Sequence, residues 1–597
     1  MTDQCISRRD LIFNLFELHR LDEILELPRF AEHDPDTCEA LLDAAIQLAE
    51  EEYLPHAAEL DADEPEFDGK EVRIIPQVKK AVDAFLEGGF LRAQFDEDVG
   101  GLQLPTLFAQ AMSSLFPAAN VSTSNYTFLT TAAANLLKAH ASDDQQQRYM
   151  APMLDGRFFG TMCLSEPHAG SSLADIKTRA KPLDDGRYRI TGNKMWISGG
   201  DHELSENIVH MVLAKIDGAP AGVKGISLFI VPKKRVDADG TVGERNGVEL
   251  VGLNHKMGHR GTTNCALAFG DNGECIGELV GEPHKGLQYM FHMMNEARIG
   301  VGMAAVGLGY AGYLYSLDYA RQRPQGRPLT NKDPSSAPVP IIEHPDVRRM
   351  LLAQKSYVEG GLALGLYCAR LVDEQNAGES EATRREATKL LDLLTPIVKS
   401  WPSEFCLEAN KLAIQCLGGY GYTREYPVER LYRDNRLNHI HEGTYGIQGL
   451  DLLGRKVIGD GGRTLAMLAE RIHDTTRAVP DNLREYADAV DAALQRAVDV
   501  SKTLGRIAED GRPNVALSNA TVFLDMLGHT VVAWLWLKQA VIATETLASD
   551  TGEAAFYQGK LNACRYFFGY ELPKTGPMAE LLEKADPVLT EIDTETF

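Results

Sequence analysis

The stretch AIQCLGGYGYTREYPVERLYRDNRLNHIHEGTYGIQGLDLLGRKV, residues 413–457, interrupts a region that otherwise has the periodicity of helices. Gly418, Gly419 and Gly421 predict a tight bend at a helix end, where backbone can approach a ligand closely. Further on, HIHEGTYG places one carboxylate, Glu442, next to Gly443. The stretch therefore predicts a helical domain with a functional loop.

Simpler interpretations exist for the same residues. The glycines are also typical of a helix connection, and Arg430, Arg433 and Arg436 are also typical of a solvated helix face. His439 and His441 beside Glu442 resemble metal ligands only superficially, because H-x-H-E lacks the spacing of a known metal site. We therefore expect no metal.

Size and charge restrict the class of protein. With 597 residues the chain is too long for one hydrophobic core, so several domains are expected. It carries 85 acidic and 60 basic residues, a net charge of −25, which disfavours nucleic acid and anionic membranes as partners. Nine scattered cysteines without a CxxC pair predict reduced thiols, and the longest apolar run near the C-terminus, TVVAWLWL, is too short for a membrane span. We expect a cytoplasmic protein.

The periodicity changes along the chain and predicts a mostly α protein with a central antiparallel β-domain. Short runs rich in β-branched residues, such as RYRITGNKMWISGG, alternate with Gly, Asn and Asp clusters between helical regions. The predicted division is an N-terminal helical segment (1–35), an N-terminal α-domain (36–155), the β-domain (156–285), a four-helix domain (286–455) and a helical extension (456–597).

A GxGxxG pattern at Gly307, Gly309 and Gly312 resembles a dinucleotide-binding fingerprint. That motif requires a preceding strand and a following helix N-terminus, whereas these glycines lie inside a long helical run. Close packing between helices is the favoured interpretation.

Two further motifs lie in the first part of the predicted β-domain. CLSEPHAGSS, residues 163–172, is a loop rich in hydroxyl and N–H donors that suits a flat heterocycle or a phosphate. KMWISGG, residues 194–200, places Trp196 and Ser198 at a strand end, where the indole would form a wall for a planar cofactor. Taken alone, the first motif is also typical of a surface turn and the tryptophan of a core.

These three motifs, in this order, resemble the FAD-dependent acyl-CoA dehydrogenase family. The resemblance covers roughly residues 40–455, and the extension resembles a longer subclass that includes 3-methylmercaptopropionyl-CoA dehydrogenases. It implies a helical domain, a β-domain and a four-helix domain, with non-covalent FAD between the last two. The implied site has Glu442 as catalytic base, cofactor contacts at Met162, Leu164, Ser165, Trp196, Ser198, Arg323, Gln415, Gly418, Gly419, Thr444 and Gly446, and substrate contacts at Ser171, Asn295, Arg298 and Gly443.

The chain departs from the family pattern at three places. Ser172 replaces an aspartate, PQG follows Arg323 where an aromatic–glycine pair is usual, and Tyr445 replaces a small residue near the acyl pocket. Some members carry the base just before the arginine of NEARIG. That position is Ala297 here, and Glu296 would face about 100° away on a helix, which leaves Glu442 as the base.

The resemblance implies α,β-desaturation of a straight-chain medium or long fatty acyl-CoA in fatty acid β-oxidation. An electron-transferring flavoprotein would accept the electrons, and the first expectation for assembly is a homodimer. A 3-methylmercaptopropionyl-CoA dehydrogenase is the alternative substrate class. A flavin monooxygenase or oxidase of the same fold, and a non-catalytic homologue acting as a binding protein, are the alternatives from other classes.

Overall fold

The computed structural model describes residues 3–331, 333–549 and 552–597, apart from the side chains of residues 292–296. The chain forms two compact units. The helical unit comprises the chain up to Glu39, Pro105–Ser114 and Arg298–Phe597, and the sheet unit comprises Ala40–Leu104 and Leu115–Ala297. The prediction of a mostly α protein with a central β-domain is confirmed, whereas the five domain boundaries stay a prediction.

Helices supply most of the regular structure. The α-helices are Arg8–Ile12, Leu21–Leu25, Pro35–Leu48, Ala57–Ala62, Pro76–Glu87, Thr106–Ser113, Leu115–His140, Asp143–Gln145, Ala151–Leu154, Gly286–Gln322, Pro345–Ala377, Glu381–Leu417, Val428–Asn435, Tyr445–Leu450, Arg463–Ala478, Arg484–Glu509, Pro513–Leu517, Ala520–Ala548, Ala554–Tyr566, Thr575–Lys584 and Val588–Glu591. The strands are Glu66–Phe67, Val72–Arg73, Phe158–Cys163, Arg179–Pro182, Tyr188–Ser198, Asn207–Ile216, Ile226–Pro232, Lys234–Val236, Val242–Arg245, Val248–Leu253, Asn264–Phe269 and Ile276–Leu279.

Five strands of the sheet unit close into a ring. Tyr188–Ser198 pairs with Ile276–Leu279, which pairs with Ile226–Pro232. Next comes Asn207–Ile216, followed by Arg179–Pro182, which pairs back with Tyr188–Ser198. Closure removes the exposed edges that an open sheet would leave.

The ladder is antiparallel, as predicted, except at two pairings. Phe158–Cys163 and Arg179–Pro182 both run parallel to Asn207–Ile216. On the other side of the ring, Val248–Leu253 and Asn264–Phe269 extend the sheet from Tyr188–Ser198. This extension makes Tyr188–Ser198, which carries the KMWISGG motif, a central strand.

Close contacts between long helices hold the helical unit together. A Cβ on Gly309 would lie 2.7 Å from the Cβ of Cys406, and one on Gly312 would lie 2.5 Å from the amide of Asn410. Both glycines belong to Gly286–Gln322 and both partners to Glu381–Leu417. The packing interpretation of the GxGxxG pattern is therefore confirmed. All nine cysteines are buried and free.

The extension belongs to the same packed unit as the four-helix domain. Gly360 leaves room for Val532 and Trp536, and Gly528 leaves room for Trp401. In the described part of the chain, Ala520–Ala548 is the one helix whose length and composition would allow it to cross a membrane, and 83% of its apolar window is buried inside the protein. Burial in the core accounts for its composition.

A buried ionic cluster joins the first helix of the chain to the extension. The Nζ of Lys560 lies 2.8 Å from Glu359 Oε2 and also contacts the carboxylate of Asp10. The side chain of Lys560 is 0% exposed, and those of Asp10 and Glu359 are 1% and 2% exposed. The hydroxyl of Tyr310 donates to Asp10 Oδ2 at 3.0 Å. Each charge therefore has a partner of opposite sign, which buried charges require.

Candidate functional site

The loop that carries Glu442 has a strained backbone. It lies between the turn Arg436–His439 and the helix Tyr445–Leu450. Glu442 has φ +51° and Gly443 has φ +86°, both in the left-handed region. A Cβ at position 443 would lie 2.5 Å from the amide nitrogen of Gln448 and would have to displace that side chain, and together with the positive φ this favours glycine there. Left-handed backbone at a non-glycine residue persists only where its surroundings hold it, and it is common at functional sites.

Two buried side chains hold this loop. The Nζ of Lys399 donates to the carbonyl of Asn438 at 2.7 Å and to the carbonyl of Gly443 at 2.8 Å. The Nε2 of Gln448 donates to the carbonyl of Glu442 at 2.9 Å. Both side chains are completely buried. The carbonyls of Glu442 and Gly443 are thus fixed from two directions, which accounts for the strained conformation.

The burial of Glu442 prepares its carboxylate to accept a proton. Burial raises the pKa of its carboxyl group, and the nearby cations Arg298 and Lys399 offset part of that rise. Burial lowers the pKa of Lys399 to about 7, against an opposing effect of Glu442. Glu442 is thus a half-buried carboxylate with a raised pKa, and it lies near an ammonium group whose own pKa is lowered. Such a carboxylate is suited to general-base chemistry near neutral pH.

Other predicted residues lie on the same elements. Arg298 is 6% exposed, and its NH1 lies 3.5 Å from Asp451 Oδ2. Thr444 caps the helix Tyr445–Leu450 by accepting a hydrogen bond from the N–H of Ile447, and Gly446 is exposed. The structure thus brings Arg298, Gly443 and Thr444 together with Glu442. Asn295 is among residues 292–296, whose side chains lie outside the described residues.

The histidines of HIHEGTYG have protein partners. His439 Nε2 lies 2.6 Å from Glu404 Oε2, and His441 Nε2 contacts Asn438 Oδ1 at 3.0 Å. In the described part of the chain, no three His, Cys, Asp or Glu side chains are grouped to hold a metal ion. The hydroxyl of Tyr445 donates to the carboxylate of Asp525 in the extension. Tyr445, which departs from the family pattern, thus links the loop to the extension.

In the sheet unit, a β-bulge aims Trp196 outward. Ile197 pairs with Cys265 and Lys194 with Leu267, so two residues of one strand face Ala266 alone. Trp196 is one of the two, with φ +66°, and its side chain is 60% exposed. Bulges next to active sites commonly redirect a side chain in this way. An exposed indole on strained backbone offers a flat apolar surface to a planar ligand.

A buried ion pair braces the SEPHAGSS loop against the tryptophan strand. Lys194 Nζ lies 3.0 Å from Glu166 Oε1, and the two side chains are 0% and 2% exposed. Lys194 also donates to the carbonyl of Leu164 at 2.9 Å, and the N–H of Met195 donates to the carbonyl of Ser165 at 3.0 Å. The two sequence motifs therefore form one rigid surface.

The remaining predicted residues of this unit differ in exposure. Met162 is 8% exposed in the strand Phe158–Cys163, while Ser171 is exposed at the far end of the loop. The hydroxyl of Ser198 is half-buried and accepts a hydrogen bond from Asn264 Nδ2 at 3.2 Å. Ser165 and Ser198 thus lie at the edge of the surface that Trp196 presents.

A third group of predicted residues lies at the end of Glu381–Leu417, away from the Glu442 loop in sequence. Gln415, Gly418 and Gly419 are exposed, and Gly418 has φ +61°. The guanidinium of Arg323 lies 5.3 Å from the centre of the Tyr420 ring. A cation over an aromatic ring, beside exposed glycine backbone, is suited to an anionic group such as a phosphate.

Sequence reasoning missed the residues that support these surfaces. Lys399 and Lys194 each stand alone in an apolar or alternating run. A single charged residue at a position where the pattern predicts burial is the signal that would have indicated them. Gln448 follows Glu442 by six residues and carries no such signal. Asp525 lies far away in the sequence, so its contact with Tyr445 depends on tertiary structure.

Comparisons with known proteins agree with this geometry. Family models match the acyl-CoA dehydrogenase N-terminal domain at residues 35–157, the middle domain at 161–272, the C-terminal domain at 284–457 and an acetyl-CoA dehydrogenase C-terminal like domain at 468–593.

Relatives cover nearly the whole chain. It is 36% identical over 567 residues to the 3-methylmercaptopropionyl-CoA dehydrogenase of Ruegeria pomeroyi, covering 94% of each. It is 35% identical over 608 residues to the broad-specificity linear acyl-CoA dehydrogenase FadE5 of Mycobacterium tuberculosis, covering 99% of each. In fold it resembles an acyl-CoA dehydrogenase complexed with FAD from Bacillus anthracis, with a TM-score of 0.72, 22% identity, and coverage of 96% of this chain and 94% of that one. The chain belongs to the acyl-CoA dehydrogenase family.

Proposed function

We propose that this chain is an FAD-dependent acyl-CoA dehydrogenase that converts a fatty acyl-CoA to the trans-2-enoyl-CoA, with Glu442 as the base. The observation that carries the proposal is the Glu442 loop. A carboxylate with a raised pKa sits on backbone in the left-handed region, next to a glycine, and buried donors fix the carbonyls on both sides. Such a group is held in place to take a weakly acidic proton.

The residues of the chain fit FAD. The exposed indole of Trp196 and the hydroxyls of Ser165 and Ser198 would hold the isoalloxazine ring. Arg323 and the exposed backbone at Gly418 and Gly419 would hold the phosphates and adenosine half of the FAD bound to a neighbouring subunit. When bound, FAD supplies the acceptor for the hydride that leaves the β-carbon.

The protein residues supply proton transfer and orientation. Glu442 takes the α-proton, and the backbone N–H of Glu442 is the donor proposed for the thioester oxygen on which charge develops. Lys399 and Gln448 keep the carboxylate in position during the reaction, because each holds a carbonyl of the same loop. The half-buried position of Glu442 limits competition from water.

We propose a straight-chain medium or long acyl group as the substrate, supported by the linear acyl-CoA specificity in the name of the Mycobacterium relative. The name of the Ruegeria relative supports 3-methylmercaptopropionyl-CoA as the alternative. The rate of flavin bleaching with butyryl-, octanoyl-, palmitoyl- and 3-methylmercaptopropionyl-CoA distinguishes these substrates. Fastest bleaching by the thioether substrate would overturn the straight-chain assignment.

The physiological setting is also part of the proposal. An electron-transferring flavoprotein accepts the electrons, and the enzyme works in the cytoplasm as a homodimer. Reduction of a purified electron-transferring flavoprotein by the substrate-reduced enzyme tests the acceptor. Faster reoxidation by dissolved oxygen than by that flavoprotein would favour an oxidase instead.

The Glu442→Gln variant tests the base. It keeps the side-chain shape but removes the proton acceptor, so FAD and octanoyl-CoA should bind nearly normally. Flavin reduction on rapid mixing should be slower by at least ~10²-fold, the lower end of what a positioned general base contributes. Glu425→Gln, at an exposed position of the same region, is the control and should reduce at the wild-type rate. A Glu442→Gln variant that melts earlier but still reduces quickly would assign Glu442 to structure alone.

A further inference from the structure

The segment after residue 456 contacts the Glu442 loop directly. Tyr445, three residues after Glu442, donates its hydroxyl to the carboxylate of Asp525, which lies on the helix Ala520–Ala548. The ring of Tyr445 stacks on His439, with centroids 4.3 Å apart and planes 6° apart. The side chain of Tyr445 is therefore fixed at both its face and its tip.

A second contact joins the same two elements. Gly449 is buried, and a Cβ there would lie 2.9 Å from the backbone of Ala520 and Thr521. The helix Tyr445–Leu450 thus rests with its backbone against the start of Ala520–Ala548. This contact does not involve Tyr445, so it supports the link independently.

The electrostatic surroundings favour the hydrogen bond. Burial raises the pKa of Asp525 to about 6, and Tyr445 opposes that rise. His529, Glu404 and His439 are the other titratable groups that act on Asp525. Burial and Asp525 raise the pKa of the Tyr445 hydroxyl well above its ordinary value. Above pH 6 the pair is thus a protonated donor facing an ionised acceptor, a strong arrangement.

The helix Ala520–Ala548 is a rigid support for this bond. Most of its residues are buried, and Trp536 and Gly528 pack against the four-helix domain. Lys399 and Gln448 hold the loop around Glu442, and Tyr445 and Gly449 hold the helix that follows it. The orientation of the Glu442 carboxylate depends on both sets of contacts. It matters for the rate, because a misplacement of about 1 Å costs up to ~10²-fold.

We propose that Tyr445 and Asp525 are positioning residues through which the C-terminal extension fixes the catalytic loop. The extension is then part of the catalytic apparatus and not an accessory domain. The inference rests on the proposed function, because the rate it concerns is that of substrate-dependent flavin reduction.

The experiment compares Tyr445→Phe, Asp525→Ala and Asp525→Asn by rapid-mixing flavin reduction with octanoyl-CoA. Tyr445→Phe and Asp525→Ala should each reduce ~10-fold more slowly at unchanged substrate affinity, since only the placement of the base suffers. Asp525→Asn keeps an acceptor oxygen and should recover most of the rate. The double variant Tyr445→Phe/Asp525→Ala should be no slower than either single variant, because both changes break one bond.

The matched control is Thr475→Val. It removes the hydrogen bond from Trp534 Nε1 to Thr475 Oγ1, 2.8 Å long, which holds the same helix at a point away from the loop. It should lower the melting temperature without slowing flavin reduction. Hydrogen exchange of amides 438–448 gives a second readout, which should accelerate in Tyr445→Phe and not in Thr475→Val.

Three results would overturn the inference: wild-type rate in Tyr445→Phe, an equal loss in Thr475→Val, or losses that multiply in the double variant. Failure of the proposed function gives a different result. In that case no acyl-CoA bleaches the wild-type flavin, although the exchange of amides 438–448 still responds to Tyr445→Phe.

Discussion

Lys399 holds the Glu442 loop with two hydrogen bonds. Its ammonium group has no exposure to water and is shared between the carbonyls of Asn438 and Gly443. In sequence it is a single lysine in the run TPIVKSWP, and nothing there indicates which carbonyls it reaches. Glu442 was predictable because its glycine neighbour and its motif are local. Lys399 was not, because the loop it binds lies about 40 residues later in the chain.

The variant Lys399→Met tests this role. It fills the same space without donors or charge, so the loop loses two hydrogen bonds and Glu442 loses a nearby cation. Lys399 lowers the pKa of Glu442, so its removal raises that pKa further. In the pH profile of single-turnover flavin reduction, we expect the acid limb to move to higher pH and the maximal rate to fall ~10-fold.

Lys538→Met is the matched control for that experiment. Lys538 is another lysine whose pKa is lowered by burial, to about 8, but it lies in the extension among Arg370, Arg471 and Trp534. Its replacement should leave the acid limb where it is. If the limb moves equally in both variants, or does not move in Lys399→Met, then Lys399 does not act on Glu442.

Among the elements, the strand Tyr188–Ser198 shows what local patterns can and cannot predict. KMWISGG indicated a strand end with an aromatic wall, and the structure has an exposed indole there. The bulge that turns Trp196 outward was not predictable, because it follows from pairing with Asn264–Phe269 about 70 residues later. The motif therefore predicted the type of residue, and the register of the sheet sets its direction.

Trp196→Ala should weaken FAD binding far more than folding. The indole is 60% exposed, so its loss removes little core packing. We expect the Kd for FAD to rise roughly tenfold, about 1.4 kcal/mol, in line with the loss of one aromatic stacking partner. Flavin fluorescence titration and urea unfolding measure the two effects separately. Thr191→Ala, at an exposed position of the same strand, should change neither, and an equal effect there would disprove the stacking role.

For the whole molecule, the order of helical, β and helical regions was predictable because periodicity changes at their borders. The packing of the extension with the four-helix domain was not, because it depends on contacts such as Gly528 against Trp401 that leave no local pattern. The same holds for Tyr445, which replaces a small residue of the family pattern. Its hydroxyl reaches Asp525 in the extension, a contact that no local pattern indicates.

Assembly gives a prediction at this scale. If Arg323 and the backbone at Gly418 and Gly419 contact FAD across a subunit interface, the FAD-loaded protein should have the mass of a homodimer in light scattering. Arg323→Ala should retain less FAD through gel filtration, because it loses a charge-assisted phosphate contact. Arg321→Ala, exposed on the same helix end, is the control and should retain wild-type FAD. A monomeric mass with FAD bound would contradict the shared site.

The buried cluster of Asp10, Glu359 and Lys560 has a consequence for biosynthesis. Asp10 and Lys560 are 550 residues apart, so a ribosome working at roughly 5–20 residues per second makes one about half a minute to two minutes before the other. During that interval Asp10 lacks the ammonium group that contacts it in the finished protein, and burying an unpaired charge costs several kcal/mol. A nascent chain therefore keeps its first helix undocked until its last helices emerge. A product released early would expose that unfinished surface to chaperones and proteases.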